Sequence, residues 1–144
     1  MAFSGARAYL TAPQSVSGYG IISFAGVRYD TGPYWSAAQP TRLTVPASGT
    51  YRVGHWLRSW LYSDDWASLQ SAVLLNGSAV AAVAMTRGFY AGDCAMLQFT
   101  AALTLAAGDY VEVQAYVNPS TTGPGHAARG YNTCLGEAWI ARVR

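Results

Sequence analysis

The sequence predicts an all-β fold, a sandwich or a barrel, on three observations. Runs rich in Val, Ile, Tyr and Trp are short and strand-like in period. Gly, Pro, Asn and Asp interrupt them at short intervals. The 144-residue chain (15.3 kDa) is 51% hydrophobic and only 11% charged, which suits one domain with a single buried core.

Taken in order, Ala6–Thr11 reads as a first strand. Ile21–Phe24 and Val27–Tyr29 follow, separated by Ala25-Gly26. Arg42–Val45 runs into Pro46-Ala47-Ser48-Gly49, where Pro withholds a ladder donor and Gly supplies the turn dihedrals. A long strand spans Tyr51–Tyr62. Gln70–Leu75 meets Asn76-Gly77, the strongest two-residue hairpin pair, and Ala79–Met85 returns. Ala95–Leu105 ends at Gly108-Asp109, Tyr110–Val117 follows, and Glu137–Val143 closes the chain. Ala101–Ala107 contains good helix formers, but Thr100, Thr104 and the preceding alternation assign it to strand. The segment 118–133 holds Pro119, Gly123, Pro124, Gly125 and Gly130 and reads as one long loop.

Composition removes several classes of function. Seven acidic residues oppose nine Arg, with no Lys, for a net charge of +2; that excess is too small and too scattered for a nucleic-acid footprint. The greasiest stretch, 78–85, is far below the roughly 18 residues of a membrane span. Met1-Ala2-Phe3-Ser4-Gly5 has neither a basic n-region nor a long apolar h-region, so cytoplasmic synthesis without a cleavable signal is expected. So few ionic groups suggest a surface that is not wholly meant for water.

Five pieces then occur in order: Tyr29-Asp30; Leu43-Thr44-Val45-Pro46-Ala47-Ser48-Gly49-Thr50-Tyr51; Leu75-Asn76-Gly77; Leu105-Ala106-Ala107-Gly108-Asp109-Tyr110-Val111-Glu112-Val113; and Trp139-Ile140-Ala141-Arg142-Val143. Together they resemble the complement C1q/tumour-necrosis-factor-like jelly roll, in its short bacterial and bacteriophage form, over nearly the whole chain. The resemblance implies a ten-stranded sandwich of two sheets that assembles as a homotrimer. It departs from the animal type in having no Gly-X-Y collagen stem and in placing Trp139 where Phe is usual.

The long strand gives an independent reason for assembly. Tyr51, Val53, His55, Leu57, Ser59 and Leu61 share one face; Arg52, Gly54, Trp56, Arg58, Trp60 and Tyr62 share the other. Large groups on both faces are unlike a half-solvated strand, and Trp, Tyr and Arg are enriched at contact centres. Arg52, Trp56, Arg58, Trp60 and Tyr62 are therefore the expected trimer interface, and a two-sided core strand under a loop is the alternative.

The same topology puts the loops at 63–69, 87–93 and 118–135 at one end and both termini at the other. Asp64, Asp65, Trp66, Phe89, Tyr90, Asp93, Tyr131 and Asn132 are the candidate contacts there for a host glycan, receptor or neighbouring protein. The alternative is ordinary loop composition. Asp64, Asp65 and Asp93 are the oxygen type that Ca²⁺ takes, but three carboxylates from two loops make a poor site, and neither a metal nor another cofactor is expected. Cys94 and Cys134 begin two strands at that end; a free buried pair and a disulfide closing about 40 residues both remain open.

Catalysis finds little support. His55 sits mid-strand on the presumed core face, and His126 has no nearby carboxylate in sequence. Gly-x-Ser-x-Gly, P-loop and His-Glu-x-x-His patterns are missing. The expectation is a non-enzymatic homotrimer, either a virion protein of a bacteriophage (capsid decoration, head spike or fibre, or tail-tip receptor binder) or a bacterial C1q-like lectin. No partnership with nucleic acid and no membrane insertion is expected.

Overall fold

Two antiparallel sheets pack face to face in the computed structural model, which describes residues 2–16, 18–60, 67–89, 94–119 and 132–143, with the backbone alone at 60, 67–68, 79–89, 94, 117–119 and 132–134. Eleven strands lie among the described residues: β1 (Gly5–Tyr9), β2 (Gln14–Val16), β3 (Gly18–Ile21), β4 (Gly26–Asp30), β5 (Leu43–Thr44), β6 (Gly49–Trp60), β7 (Ala67–Leu75), β8 (Ala79–Phe89), β9 (Cys94–Leu105), β10 (Tyr110–Pro119) and β11 (Asn132–Arg142). That is one strand more than the ten the resemblance implies. One sheet has the order β4-β1-β11-β6-β9, with β2 also on β11; the other has β3-β10-β7-β8, with β5 also on β10. Every paired strand in both sheets is antiparallel.

The alternation read in the long strand decides which side of β6 enters the sandwich. Tyr51, Val53, His55, Leu57 and Ser59 are buried, while Arg52 and Arg58 are exposed. The opposing sheet contributes Leu69, Val73, Val111, Val113 and Ala115 to the same core. At roughly 25 cal/mol per Å² of apolar surface, this layer is the dominant stabilising term. His55 is a core histidine, as expected: it is fully buried, and its Nε2 shares a 2.7 Å hydrogen bond with Ser71 Oγ across the two sheets. Burial lowers its pKa to about 4, because desolvation disfavours the imidazolium.

Three strand expectations change. Gln14–Val16 was not expected to be a strand, since only Val16 is apolar; it forms because β11 offers a partner and because Gln14 bridges the Ile21 carbonyl and the Ser23 amide, each at 2.8 Å. The expected Ile21–Phe24 strand lies earlier, at β3. Ile22 and Phe24 follow it as buried plugs, their amides bonded to Val113 O and Pro40 O. Residues 118–119 and 132–133 extend β10 and β11, which shortens the expected loop; 120–131 lies outside the described residues.

Turn chemistry holds one end as read. Asn76 (φ 52°) and Gly77 (φ 81°) close the β7–β8 hairpin. The Asn76 amide donates to Asp109 Oδ1 at 3.0 Å and its oxygen accepts the Tyr110 amide, while Asp109 Oδ2 accepts the Ala106 amide at 2.8 Å. Those bonds, the Asn76 one foremost, hold the Asp109 carboxyl below its usual range. Both termini reach this end, where Gly5 pairs with Ala141.

At the other end, register aligns Trp60 with Cys94 and Thr133 in one sheet, and Ala67 with Phe89 and Pro119 in the other. The three connections at 61–66, 90–93 and 120–131 therefore leave from a common end; residues 67–69, 87–89, 118–119 and 132–135, expected in loops, are strand. The disulfide reading falls here. β6 runs between β9 and β11, and Cys94 and Cys134 pair with its neighbouring residues Trp60 and Ser59. Two strand spacings come to roughly 10 Å, beyond the ~7 Å limit between bridged Cα atoms.

Candidate functional site

Cross-strand register assembles the outer face of the β6 sheet from residues distant in sequence. On β6 it carries Arg52, Gly54, Trp56 and Arg58. Opposite them, β11 places Ala141, Trp139, Glu137 and Leu135, and β9 places Ala102, Thr100, Gln98 and Met96. On the far side of β11, β1 adds Arg7 beside Trp139 and Tyr9 beside Glu137. Arg7, Trp56, Arg58, Met96, Gln98, Leu135 and Trp139 line an open depression of about 580 Å³. Trp56 and Trp139 are half-buried, and Met96 is 67% exposed.

A three-charge knot supports one flank. Glu137 is only 4% exposed, and its carboxylate accepts Arg7 Nε on Oε2 and Arg28 Nε on Oε1, each at 2.5 Å, with Arg28 Nη2 also on Oε1. Burial pushes its pKa up, but the hydrogen bonds from Arg28 and Arg7 outweigh this and hold it below the usual carboxylate range. The hydrogen bond to Glu137 in turn raises Arg28. Arg28 reaches the site through a register shift: Arg7 pairs with Tyr29 and Ala8 with Val27, leaving Arg28 as the extra residue of β4, and such bulges re-aim a side chain. Arg7 also lies 5.4 Å from the Trp139 ring centroid and Arg28 5.0 Å from that of Tyr9, within cation–π range.

Of the expected interface residues, Arg52, Trp56 and Arg58 stand on this outer face, Arg52 and Arg58 exposed. Trp60 occupies the same alternate register in the backbone of β6, and Tyr62 lies outside the described residues. Among the expected loop-end contacts, Phe89 and Asn132 are the terminal residues of β8 and β11; Asp64, Asp65, Trp66, Tyr90, Asp93 and Tyr131 lie outside the described residues, as do the carboxylates weighed for Ca²⁺. Reading β6 alone missed Arg7, Arg28, Glu137, Trp139, Met96 and Gln98. The alternation Leu135, Glu137, Trp139 marked one face of β11, but nothing local says that β1, β11, β6 and β9 are neighbours.

Chemically, the face offers guanidinium groups, indoles, a thioether and an amide. His55 is sealed in the core, and among the described residues no three His, Cys, Asp or Glu side chains cluster to hold a metal. Among the described residues no helix is long and apolar enough to cross a membrane.

Comparison with known proteins places the architecture. The globular domain of zebrafish complement 1qA protein superposes with a TM-score of 0.64 at 11% identity, over 96% of each chain. Murine APRIL, in a crystal structure at pH 5.0, superposes with a TM-score of 0.65 at 14% identity, over 99% of this chain and all of that one. The fold is thus the C1q/TNF-like jelly roll expected from the motif order. No family model matches the sequence, and no curated protein matches it.

Proposed function

We propose that this chain is a non-enzymatic structural and adhesion protein of a bacteriophage or phage-like particle, a homotrimer serving as capsid decoration, head spike or fibre, or tail-tip receptor binder. The outer face of the β6 sheet carries the proposal. It lines an open depression with Trp56, Trp139, Met96, Arg7 and Arg58, residue types enriched at contact centres. A second and third copy would cover this face, leaving the opposite end, with its three connections, for a host surface or a neighbouring particle protein. The virion setting rests on the resemblance of the motif order to the short phage type.

The test is mass and attachment. Light scattering should give three times 15.3 kDa, and Trp56→Glu or Trp60→Glu should give monomer or aggregate, because a carboxylate would enter the shared face. A folded wild-type monomer would end the reading. Trp66→Ala with Tyr90→Ala should weaken adsorption to host cells and leave the mass unchanged. Detection of the chain in purified particles decides the setting.

One observation favours the second reading, a bacterial surface or secreted carbohydrate-binding module. On the other sheet Tyr19, 67% exposed, stacks on Tyr116 with ring centroids 4.2 Å apart and an interplanar angle of 22°, an uncharged aromatic platform of the kind on which a sugar ring can lie. Glycan-array binding lost in Tyr19→Ala would support it; array silence would remove it.

A further inference from the structure

The outer face of β10 carries a row of groups whose bonding capacity the fold does not use. Val111, Val113 and Ala115 enter the core, so Glu112, Gln114 and Tyr116 stand on the opposite face at steps of roughly 7 Å. Glu112 is only 9% exposed, and no cation pairs with it among the described residues. Its Oε2 accepts the Thr41 hydroxyl at 2.5 Å. Its Oε1 has no partner among the described residues and lies toward Gly77, where a Cβ would stand 3.8 Å away. Arg42 lies instead over the Tyr110 ring, 4.0 Å from its centroid. A carboxylate held so far from water is costly until a positive group meets it. The half-buried Gln114 amide likewise has no hydrogen-bond partner among the described residues. At the end of the row Tyr116 supports Tyr19. The second face of the Tyr19 ring looks past the sheet edge, because β3 ends the order β3-β10-β7-β8.

We infer that this row binds an oligosaccharide bearing a free amino group. The apolar face of one sugar ring stacks on Tyr19, hydroxyls meet the Gln114 amide, and the ammonium of a further unit reaches Glu112 Oε1. The inference rests on the carbohydrate-binding reading given above and names the ligand class for that same platform. Each contact follows from the chemistry of its group. A tyrosine ring accepts the C–H face of a pyranose, an amide both donates to and accepts from hydroxyls, and a carboxylate prefers a charged donor to a neutral one. Glu112 also repels sugars that carry carboxylate or sulfate. From Tyr116 to Glu112 is roughly 13 Å along the strand, the reach of several linked rings rather than one. The site is compatible with the homotrimer, since it lies on the opposite side of the sandwich from the β6 face.

The experiment is calorimetric titration of the full chain with a β-linked glucosamine tetrasaccharide and with its N-acetylated counterpart, at one ionic strength and at a pH where the amines are protonated. The amino form should bind about tenfold tighter or better, the worth of one charge-assisted hydrogen bond. Glu112→Gln, which still offers Thr41 an acceptor, should remove the preference, so that both sugars bind alike. Tyr19→Ala should weaken both. Tyr29→Ala, an exposed tyrosine on the other sheet, should change neither. Equal affinities in the wild-type chain overturn the inference, as does a preference that survives Glu112→Gln, which would indicate diffuse attraction. If the N-acetylated sugar binds through Tyr19 and the amine adds nothing, the ligand class falls and the carbohydrate reading stands. If no sugar binds at all, both fall.

Discussion

The indole of Trp139 packs directly against Gly54. A Cβ at position 54 would sit 2.3 Å from Trp139 Cζ2 and 2.6 Å from Nε1, so the missing side chain on β6 makes the room that the β11 ring occupies. In that position the ring also carries Arg7 above it, and Arg7 in turn grips Glu137.

Gly54→Ala should therefore tilt the indole and loosen the flank of the depression. Overpacking of this kind costs about 1–3 kcal/mol. A lower urea midpoint with a shifted tryptophan emission is expected; an unchanged midpoint and spectrum would mean that the contact is slack.

Glu137→Gln should leave Arg7 and Arg28 without a counter-ion. Both arginines are partly exposed and can rehydrate, so the cost should be about 1–2 kcal/mol rather than that of a fully buried pair. The pH dependence has a definite sign. A carboxylate with a lowered folded-state pKa stabilises above its unfolded value, and that stability drains away as pH falls through the folded value. The variant should lack this acid component in urea titrations, and an identical acid limb in both proteins would contradict the assignment.

His55 should contribute a separate acid sensitivity. Its imidazole is neutral in the fold, with a pKa near 4, whereas the unfolded chain takes up a proton near pH 6.5. Stability should hold above that pH and fall by about 3 kcal/mol between pH 6.5 and 4, a gap of roughly 2.5 units at 1.36 kcal/mol each. His55→Gln, which keeps a hydrogen-bonding group for Ser71, should flatten that span in chemical denaturation. A parallel decline in wild type and variant would show that other groups carry it.

Gly77→Ala tests the hairpin. At φ 81° an L side chain is strained, and its Cβ would lie 3.0 Å from Tyr110 Oη. A loss of about 1 kcal/mol is expected, without change in assembled mass because β7 and β8 belong to the other sheet. A shift in mass would tie the hairpin to assembly.

Which residues form strands, and which side of a strand enters the core, could be read from local pattern. The alternation in β6 sorted Tyr51, Val53, His55 and Leu57 from Arg52, Trp56 and Arg58, since neighbouring side chains must point to opposite faces. The hairpin pair Asn76-Gly77 and the turn at Gly108-Asp109 were legible for the same reason: a φ above zero restricts the residues a turn accepts. Even the jelly-roll class followed from the order of short motifs.

Tertiary structure alone decided who stands next to whom. Arg7, Arg28 and Glu137 are separated by up to 130 positions in the chain, and only the sheet order β4-β1-β11-β6-β9 makes them one site. It also inserted β6 between the two cysteines, and made a strand of Gln14–Val16. Strand pairing is non-local: period two records the face that a residue takes within its own strand and carries no label for the neighbour across the ladder. The bulge at Arg28 and the seat of Trp139 on Gly54 depend on that neighbour.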